Sequence, residues 1–470
     1  MIRLQPEDLL LVLGARPPSD VGAWLRDGLR DAVASGRLEA GAALPSSRSA
    51  AAGLGVARGT VAAAVDELVG EGVLESRPRS SVVVADLARH PVGASSRGGP
   101  ADAPPRPASV GAPDPALFPR AAWARAVRDA VRALPDAELG YPDPQGLLGL
   151  REALAAHLRT ARAAPVEAED VVIVSGVAQG LALLGEVLAG GSSGRRVVVE
   201  DPASPGVIEQ LRDAGLDVVP VPVDGRGLRT DALPDAAAAV VTPAHQFPLG
   251  VVLAPDRRRE LVAWARDGDR LVLEDDYDAE LRYDRQPVGA LRGLDPEHVA
   301  LLGSVSKLLS PALRLGWVVA PPGVREALVD AKRRADLGCS VPEQAAFARM
   351  IESGAYARHL RRARLTYRRR RGLLLDALAR EVPHLPVEGV AAGLHLVVRL
   401  PDGDAEARAV AALRGAGVPA DPLSGASARA GAWGVILGAA RVQGAAVPRV
   451  VEILGAVVTR GEVSFASPRE

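Results

Sequence analysis

The chain has 470 residues, a formal net charge of −1, a hydrophobic share of 48% and a single cysteine, Cys339. This length exceeds that of one small domain, and the apolar share suffices for a sizeable core. The near-zero net charge gives no argument for a nucleic-acid partner, and the single cysteine excludes an internal disulfide framework. We expect Cys339 to be a buried thiol with no chemical role in a reducing compartment.

The N-terminus is unlike a targeting segment. Glu7 and Asp8 precede the first short apolar run, which is not the pattern of a signal peptide. No run of about 18 apolar residues is present that would be long enough to cross a membrane. We therefore expect a cytoplasmic protein with no membrane partner.

The first 85 residues are predicted to form helices followed by a short β element. Apolar side chains recur at helical spacing in the first helix, and short apolar runs flank a polar turn near residue 79. The predicted elements are a helix over 21–35, a helix from Ser46 or Ser47 to Leu54, a turn at Gly55, a helix over 58–69 and two strands within 73–85.

Two helices joined by a tight glycine turn are typical of a helix-turn-helix, which places its second helix in the major groove of DNA. Arg58 and Thr60 lie at the start of that helix, where base edges and phosphates are reached. Ser47 and Arg48 begin the preceding helix, whose first amides favour a phosphate. Because residues 40–65 contain no acidic side chain, the arginines act in a locally positive field. A packed helical hairpin with no DNA role is the alternative.

The string GAALPSSRSAAAGLGVARGTVAAAVDELVGEGVL begins at Gly41 and resembles the winged-helix domain of GntR-type regulators. The resemblance covers essentially the whole N-terminal piece. It implies double-stranded operator DNA as a partner, contacted by the four residues named above. The family wing usually reads RxGxG, but this one reads RPRSS, with Arg79 and Ser81 in place of the glycines. We expect Arg79 to add a phosphate contact.

A composition shift predicts three parts: a winged-helix domain over 1–85, a flexible linker over 86–110 rich in Pro, Gly, Ser and Ala, and a second domain over 111–470. In the second domain, short apolar runs alternate with amphipathic helical stretches, which predicts an α/β architecture with a mainly parallel sheet and a smaller α+β segment at the end. The predicted strands are 171–174, 196–199, 218–221, 238–241, 271–274, 299–302 and 316–320.

Lysine occurs only at positions 307 and 332, although Lys and Arg together number 56. Lys307 is a candidate Schiff-base residue, because burial among apolar groups lowers the pKa of an amine and arginine cannot replace it. We expect Lys332 to be a surface charge. The Arg368–Arg371 run is predicted to be the solvated face of a helix, and a patch for DNA phosphates is the alternative.

The surroundings of Lys307 favour a pyridoxal phosphate site. Ser304 and Arg314 flank it and can bind a phosphate. Asp275 could keep a pyridine nitrogen protonated, and Tyr277 could bond a ring oxygen. Upstream, Ser175, Gly176 and Val177 form a turn and a helix start whose free amides make an anion site. This set is what pyridoxal phosphate requires; no metal site is predicted.

The sequence from Gly111 onward resembles fold-type I aminotransferases, and more closely the MocR-type (GabR-like) regulators that carry a GntR-type head. The matching pieces are LFPRAAW, YPDPQGLLGLREAL, VSGVAQG, VTPAHQFPLGVVL, EDDYDAELRY and GSVSKLLSPALRLGW. The resemblance implies a homodimer that binds pyridoxal phosphate. It assigns the Schiff base to Lys307, the pyridine nitrogen to Asp275, the ring oxygen to Tyr277, the phosphate to Ser304, Arg314 and the Ser175–Gly176 turn, and the phosphate of the neighbouring subunit to Tyr141.

Several positions depart from that family. Ser204 stands where an aromatic residue stacks on the cofactor ring, and residues 177–178 read Val-Ala where the family has Ser or Thr and then Gln. Arg429 is the only arginine near the expected effector-carboxylate position, and it does not align cleanly. We expect His245 and Gln246 to support the site from behind, with a simple loop histidine as the alternative.

Three functions are compatible with the sequence. The first is a transcription regulator whose second domain senses pyridoxal phosphate, alone or with an amine or amino-acid effector. The second is an active aminotransferase that carries a DNA-binding head. The third is a dimeric scaffold with a vestigial cofactor site. The departures around the ring and the carboxylate position favour the regulator over efficient turnover.

Overall fold

The computed structural model of the chain describes residues 4–14, 17, 20–77, 81–85, 109–192, 194–283 and 288–458. The chain divides between residues 105 and 106 into two units. Apart from Ser109 and Val110, the predicted linker lies outside the described residues, as does Arg79. Among the described helices, none combines the length and the apolar composition that a membrane crossing needs.

The N-terminal unit is a winged helix. Its elements are α1 Pro6–Leu13, α2 Val21–Ala34, α3 Ser47–Leu54, α4 Arg58–Gly70, β1 Leu74–Arg77 and β2 Ser81–Val84. The predicted helices and strands are confirmed to within a residue or two. Ser46 caps α3, because its side-chain oxygen accepts a hydrogen bond from the Ser49 amide at 3.2 Å. Gly55 ends that helix in the left-handed conformation, with φ of 62°.

Helix α1 was not predicted, because its apolar run LLLVL is continuous and shows no helical spacing. Its Leu9 is buried in one core with Leu25 of α2, Leu54 of α3 and Leu68 of α4. The strands β1 and β2 pair antiparallel, with Leu74 opposite Val84. The unit therefore has its own core.

The second unit is built on an eight-stranded sheet in the order β3-β10-β9-β8-β7-β4-β5-β6. Its strands are β3 Val171–Val174, β4 Arg196–Asp201, β5 Asp217–Asp224, β6 Gly227–Leu228, β7 Ala238–Val241, β8 Leu271–Asp275, β9 Val299–Ser304 and β10 Gly316–Val319. The strands from β9 through β5 are parallel, whereas β10 runs antiparallel to both of its neighbours and β6 to β5. The prediction of a mainly parallel sheet is confirmed, and β6 is the strand that it missed.

Helices cover both faces of this sheet, as a parallel sheet requires. Because side chains alternate along a strand, Val171 and Ile173 of β3 join one core and Val172 and Val174 join another. The helices are α5 Arg120–Ala133, α6 Leu148–Arg162, α7 Val177–Gly190, α8 Pro205–Asp213, α9 Pro255–Asp267, α10 Pro322–Asp336, α11 Val341–Glu352 and α12 Ala355–Glu381.

A smaller α+β segment ends the chain, as predicted. Its antiparallel sheet has the order β11-β12-β14-β13, and its core includes Leu374 and Leu378 from the C-terminal half of α12. The elements are β11 Val387–Glu388, β12 Leu396–Arg399, α13 Gly403–Gly415, β13 Ala420–Pro422, β14 Gly434–Leu437 and α14 Val447–Val458.

The prediction that Lys332 is a surface charge is wrong. Its side chain is 0% exposed, and its amine donates to Asp336 one helical turn later at 2.5 Å. A partner four residues away on the same helix compensates the charge, so burial is tolerated. Cys339 is buried, as expected.

The prediction for the Arg368–Arg371 run is half right. Arg368 and Arg369 are exposed. Arg370 instead pairs with Asp114 at 2.8 Å. Arg371 is 8% exposed and donates to the carbonyl oxygen of Gly389 at 3.0 Å. The second half of the run therefore holds the chain together and is not available to DNA phosphates.

Candidate functional site

The carboxyl ends of β4, β7, β8 and β9 meet at one edge of the sheet, the edge where parallel α/β sheets hold their ligands. A cavity of about 450 Å³ opens there. Glu200, Thr242, Asp275 and Ser304 lie at or directly after these strand ends and line the cavity. The topology therefore gathers side chains that are about a hundred residues apart in sequence.

Lys307 lines the cavity three residues after the end of β9. Burial lowers the pKa of its amine, although the carboxylates of Asp275 and Asp278 oppose this effect. A Cβ atom at Gly111 would lie 3.2 Å from the Lys307 Nζ, so the backbone of residue 111 passes close to the amine. An amine with a lowered pKa is more often neutral and therefore more nucleophilic.

Asp275, the last residue of β8, has an unsatisfied oxygen. Its Oδ1 is fully buried and has no hydrogen-bond partner among the described residues. Burial, and then the charge of Asp276, raise the pKa of the Asp275 carboxyl to about 7. A buried acceptor without a donor is unfavourable. The site therefore suits a ligand that brings an N–H group, preferably a cationic one, to this carboxyl.

Tyr277 lines the same cavity and is backed by a buried polar pair. Its Oη lies 3.0 Å from the Nδ1 of His245, and that nitrogen lies 3.0 Å and 3.1 Å from the two oxygens of Asp278. Burial, and then Asp278, raise the pKa of the Tyr277 phenol well above its usual value, so it is a neutral hydroxyl. This contact places His245 behind Tyr277, and its support of a cofactor site stays a prediction.

An anion-binding end is formed around the start of α7. Gly176 precedes the helix with φ of 108°, a conformation that favours glycine, and no side chain caps the first amides. A Cβ atom at Gly176 would lie 3.3 Å from Nη2 of Arg314. Val177 and Ser304 line the cavity with this guanidinium. Backbone amides, a hydroxyl and a guanidinium are the donors that a phosphate needs.

Two of the predicted cofactor residues do not line this cavity. The amide of Ser175 donates to Gln179 Oε1 at 2.8 Å, and its hydroxyl lies 3.6 Å from the Cys339 sulfur. The cavity wall at this turn is formed by Gly176 and Val177 instead. Tyr141 is 90% exposed.

Several cavity residues were not predicted. The Glu200 carboxylate accepts hydrogen bonds from the Thr242 hydroxyl at 2.5 Å and from Gln246 Nε2 at 3.3 Å, and burial raises its pKa to about 7. Asp421 of β13 also lines the cavity. Glu200 could have been found from the sequence, because two acidic residues, Glu200 and Asp201, end the apolar strand β4. For Asp421 no local signal exists, because only tertiary packing brings β13 to the cavity.

The departures noted in the sequence have clear structural counterparts. Ser204 lines the cavity at the start of α8 and offers no ring for stacking. Arg429 lines a different, polar cavity; its Nε lies 3.5 Å from Asp201, and its side chain is 54% exposed. The strand β14 reads GVIL and is buried throughout, so its own residues bring no cation to the cavity beside Lys307.

The winged helix presents its predicted DNA-contacting residues near the starts of α3 and α4. Arg48 and Arg58 are exposed, and Ser47 and Thr60 are half-buried. Within the described part of the chain, neither arginine has a recorded ion pair. Arg79 lies outside the described residues.

Two acidic residues near the end of α4, Glu67 and Glu71, are paired with arginines of α2. Arg26 of α2 pairs with Glu67 of α4 at 3.2 Å, and Arg30 pairs with Glu71, the residue after α4, at 2.7 Å. The N-terminal half of α4 keeps its positive charge. The starts of α3 and α4 therefore form a candidate nucleic-acid interface.

Two family models match the chain. The model described as "Aminotransferase class I and II" matches residues 109–428, and "Bacterial regulatory proteins, gntR family" matches residues 25–84. The chain is 37% identical over 398 residues to the HTH-type pyridoxine biosynthesis transcriptional regulator PdxR of Corynebacterium glutamicum, covering 83% of this chain and 86% of that protein. It is 33% identical over 439 residues to the probable rhizopine catabolism regulatory protein MocR of Rhizobium meliloti, covering 88% and 89%.

Solved structures resemble the second unit. An archaeal alanine:glyoxylate aminotransferase superposes with a TM-score of 0.69 at 26% identity, covering 75% of this chain and 90% of that chain. The two regulators thus align over 83% and 88% of this chain, whereas the aminotransferase covers 75% of it.

Proposed function

This chain belongs to the MocR-type regulators, GntR-type winged-helix proteins fused to an aminotransferase-like domain, and we propose that it binds pyridoxal phosphate at Lys307 to control its binding to operator DNA. Within that family the protein is a DNA-binding transcription regulator. The cofactor, the signal and the dimer are the proposed parts. The unsatisfied oxygen of Asp275, in the same cavity as the Lys307 amine, is the observation that carries the cofactor assignment.

Each side chain has a distinct task in this proposal. Pyridoxal phosphate, when bound, supplies an aldehyde that condenses with a lysine amine and a ring that absorbs visible light. Lys307 would provide that amine, and Asp275 would accept the hydrogen of the pyridine nitrogen. Tyr277 would donate to the ring oxygen. Ser304, Arg314 and the first amides of α7 from Val177 would hold the phosphate.

The charges in the cavity favour the cofactor itself as the signal. The cationic side chains that line it are Lys307 and Arg314, and both are used by the aldehyde and the phosphate. The remaining ionisable lining groups include the carboxyls of Glu200, Asp275 and Asp421. An amino-acid effector would bring a carboxylate that finds no further cation among the described residues of the cavity wall. We therefore propose control of pyridoxine biosynthesis genes, the role named in one relative.

We further propose a homodimer in which Tyr141 reaches the phosphate in the neighbouring subunit. Its exposure of 90% leaves the phenol available to a second copy. Sedimentation of wild type and Tyr141→Phe at equal concentration would give dimers for both, with weaker cofactor binding only in the variant. Monomeric wild-type protein would contradict this part.

A DNA gel-shift titration tests the signal. The probe is the promoter region upstream of the protein's own gene, with and without added pyridoxal phosphate. We expect the midpoint for wild type to move when the cofactor is added, and the midpoint for Lys307→Ala to stay fixed. An equal response in both proteins, or no response in wild type, would refute the proposal. Sustained transamination at ordinary enzyme rates would instead favour the aminotransferase.

A further inference from the structure

We propose that His245, held by Asp278, is a positioning residue that directs the hydroxyl proton of Tyr277 into the cavity, toward the ring oxygen of the cofactor. The inference rests on the proposed cofactor site. It concerns the second layer of side chains behind Tyr277, which the proposed function does not assign.

The direction of the hydrogen bonds can be deduced from the inventory of donors. Asp278 is 1% exposed, and both of its carboxylate oxygens lie within 3.1 Å of the His245 Nδ1. A carboxylate only accepts, so the hydrogen between the two residues belongs to Nδ1. The pair is buried from solvent, since His245 is 2% exposed. Asp278 therefore fixes one tautomer of the imidazole.

That tautomer decides where the Tyr277 proton points. Tyr277 Oη lies 3.0 Å from the same Nδ1. A protonated Nδ1 has no lone pair to accept with, so the phenol cannot donate to it and can only receive a shared hydrogen. On another side, Phe247 packs edge-on against the phenol with ring centroids 6.3 Å apart and offers no acceptor in its side chain. The hydroxyl proton is left for a group inside the cavity.

The other groups around His245 do not supply the hydrogen that lies between its Nδ1 and the Asp278 carboxylate. His395, the residue just before β12, lies with its ring centroid 5.3 Å from that of His245. Burial, and then the nearby His245, lower the pKa of His395 to about 3, so it is neutral near pH 7. Its Nε2 faces the Pro248 carbonyl oxygen at 3.0 Å. The positive charges of Lys307 and Arg371 act from further away and also lower the pKa of His395.

A donor to the ring oxygen has a measurable effect on the bound cofactor. Such a donor stabilises negative charge on the ring oxygen. It therefore lowers the affinity for the proton that this oxygen shares with the Lys307 nitrogen. Loss of the donor should move the pH titration of the visible band upward by between about one and two pH units. This readout reports the electronics of the cofactor and is independent of catalysis and of DNA binding.

Asp278→Asn is the decisive variant, because it keeps the shape of the side chain. An amide carries both a donor and an acceptor, so the substituted side chain no longer fixes the tautomer. When Nδ1 is unprotonated, Tyr277 can donate to it and the ring oxygen loses its donor. We expect the upward shift. A simple loss of charge acts in the opposite direction, since the Asp278 carboxylate raises the pKa of the Lys307 amine. The sign of the shift therefore separates the two explanations.

Three further variants complete the test on the full-length protein loaded with pyridoxal phosphate. Tyr277→Phe should show the full upward shift, and adding Asp278→Asn to it should give no further rise. His245→Asn keeps an N–H near the position of Nδ1 and should titrate close to wild type. His245→Gln moves its N–H to the position of Nε2 and should shift upward.

The outcomes are distinguishable. Wild type without a visible band would overturn the proposed cofactor site and this inference with it. A wild-type band combined with an unchanged or downward titration in Asp278→Asn, while Tyr277→Phe shifts upward, would overturn only the inference. If Asp278→Asn does not fold, as judged by circular dichroism, equal titrations of His245→Asn and His245→Gln would overturn it.

Discussion

The two units of the molecule handle charge in opposite ways. In the winged helix, Arg48 and Arg58 are exposed and lack a recorded ion pair among the described residues. In the second unit, Lys307 and Asp275 line a cavity. Burial lowers the pKa of the Lys307 amine and raises that of the Asp275 carboxyl, which favours the neutral form of each. Exposed charges are screened by salt and act almost independently, whereas buried ones depend on each neighbour. The same sequence thus contains one site governed by ionic strength and one governed by protonation.

The largest effect expected is at the cofactor site. Lys307→Ala should abolish the visible absorbance that appears when pyridoxal phosphate is added, because no amine is left to condense with the aldehyde. Lys332→Met is the matched control: it removes the other lysine of the chain, also buried, and should keep the band. A band that persists in Lys307→Ala, or vanishes in a folded Lys332→Met, would contradict the assignment.

The second effect concerns the cost of ionising Asp275 in the cofactor-free protein. Its pKa of about 7 exceeds the ordinary value of 3.8, so the native state holds a proton that the unfolded state releases. Stability should fall as the pH rises from about 4 to about 7, by up to about 4 kcal/mol from this group. Asp275→Asn removes that fall.

Urea denaturation without cofactor checks the sign. We expect Asp275→Asn to be more stable than wild type at pH 8 and to lose this advantage near pH 4, where the wild-type carboxyl is protonated in the native state and largely so in the unfolded state. A stability difference that is the same at both pH values would show that Asp275 is not buried as described. Glu200 remains unchanged in both proteins, so its contribution cancels.

The third effect tests the exposed charges. Arg58→Ala should weaken operator binding by about 1–3 kcal/mol and lower the slope of log affinity against log salt by about one, if the contact is to phosphate. Arg30→Ala is the control, since Arg30 pairs with Glu71 on the side of α2. Fluorescence anisotropy at two salt concentrations measures both. Equal losses in the two variants would remove Arg58 from the interface.

The smallest effect is a gain. Ser204→Tyr would restore a ring at the wall of the cavity, and stacking is worth about 0.5–1.5 kcal/mol. We expect pyridoxal phosphate to bind between about twofold and tenfold more tightly, measured by titrating the visible band. Ser204→Ala should bind as wild type does. Weaker binding in Ser204→Tyr would mean that the space beside Ser204 is needed by the cofactor itself.

The sequence was sufficient to predict structural elements that depend on a local pattern of residues. The strands at 171–174 and 238–241 were predicted to the residue, because each is a short buried apolar run. The capping serine before α3 and the turn at Gly55 were likewise predicted, since caps and turns depend on single residue types. Lys307 was selected as a candidate because the amine chemistry proposed for it is one that arginine cannot perform.

The rest depends on contacts between distant segments. Lys332 was assigned to the surface because a lone lysine usually is, and only the packing of α10 shows it buried beside Asp336. The pairing of Arg370 with Asp114 joins residues 256 positions apart. The contact of His245 with Asp278 and Tyr277 has no local signature either. Predicting such pairs requires the sheet order, which a single sequence does not supply.

The segment just after the predicted linker has two attachments. At Gly111 it passes beside the Lys307 amine, and at Asp114 it is fastened to α12, where the Asp114 amide donates to the Tyr367 hydroxyl at 3.0 Å and Arg370 closes an ion pair. Ser109 and Val110 complete the wall of the cavity on this side. The chain therefore leaves the second unit through residues that line the cavity.

This arrangement limits how a conformational change caused by a ligand can be transmitted along the backbone. A ligand shifts an equilibrium only by the difference in its affinity for the two states. For a signal that travels along the covalent chain, residues 109–111 are the part that both lines the cavity and precedes the anchored residue 114. The backbone by which the chain leaves the second unit and one part of the cavity wall are thus the same three residues, so a ligand that displaces this wall also displaces the start of the connection toward the N-terminal unit.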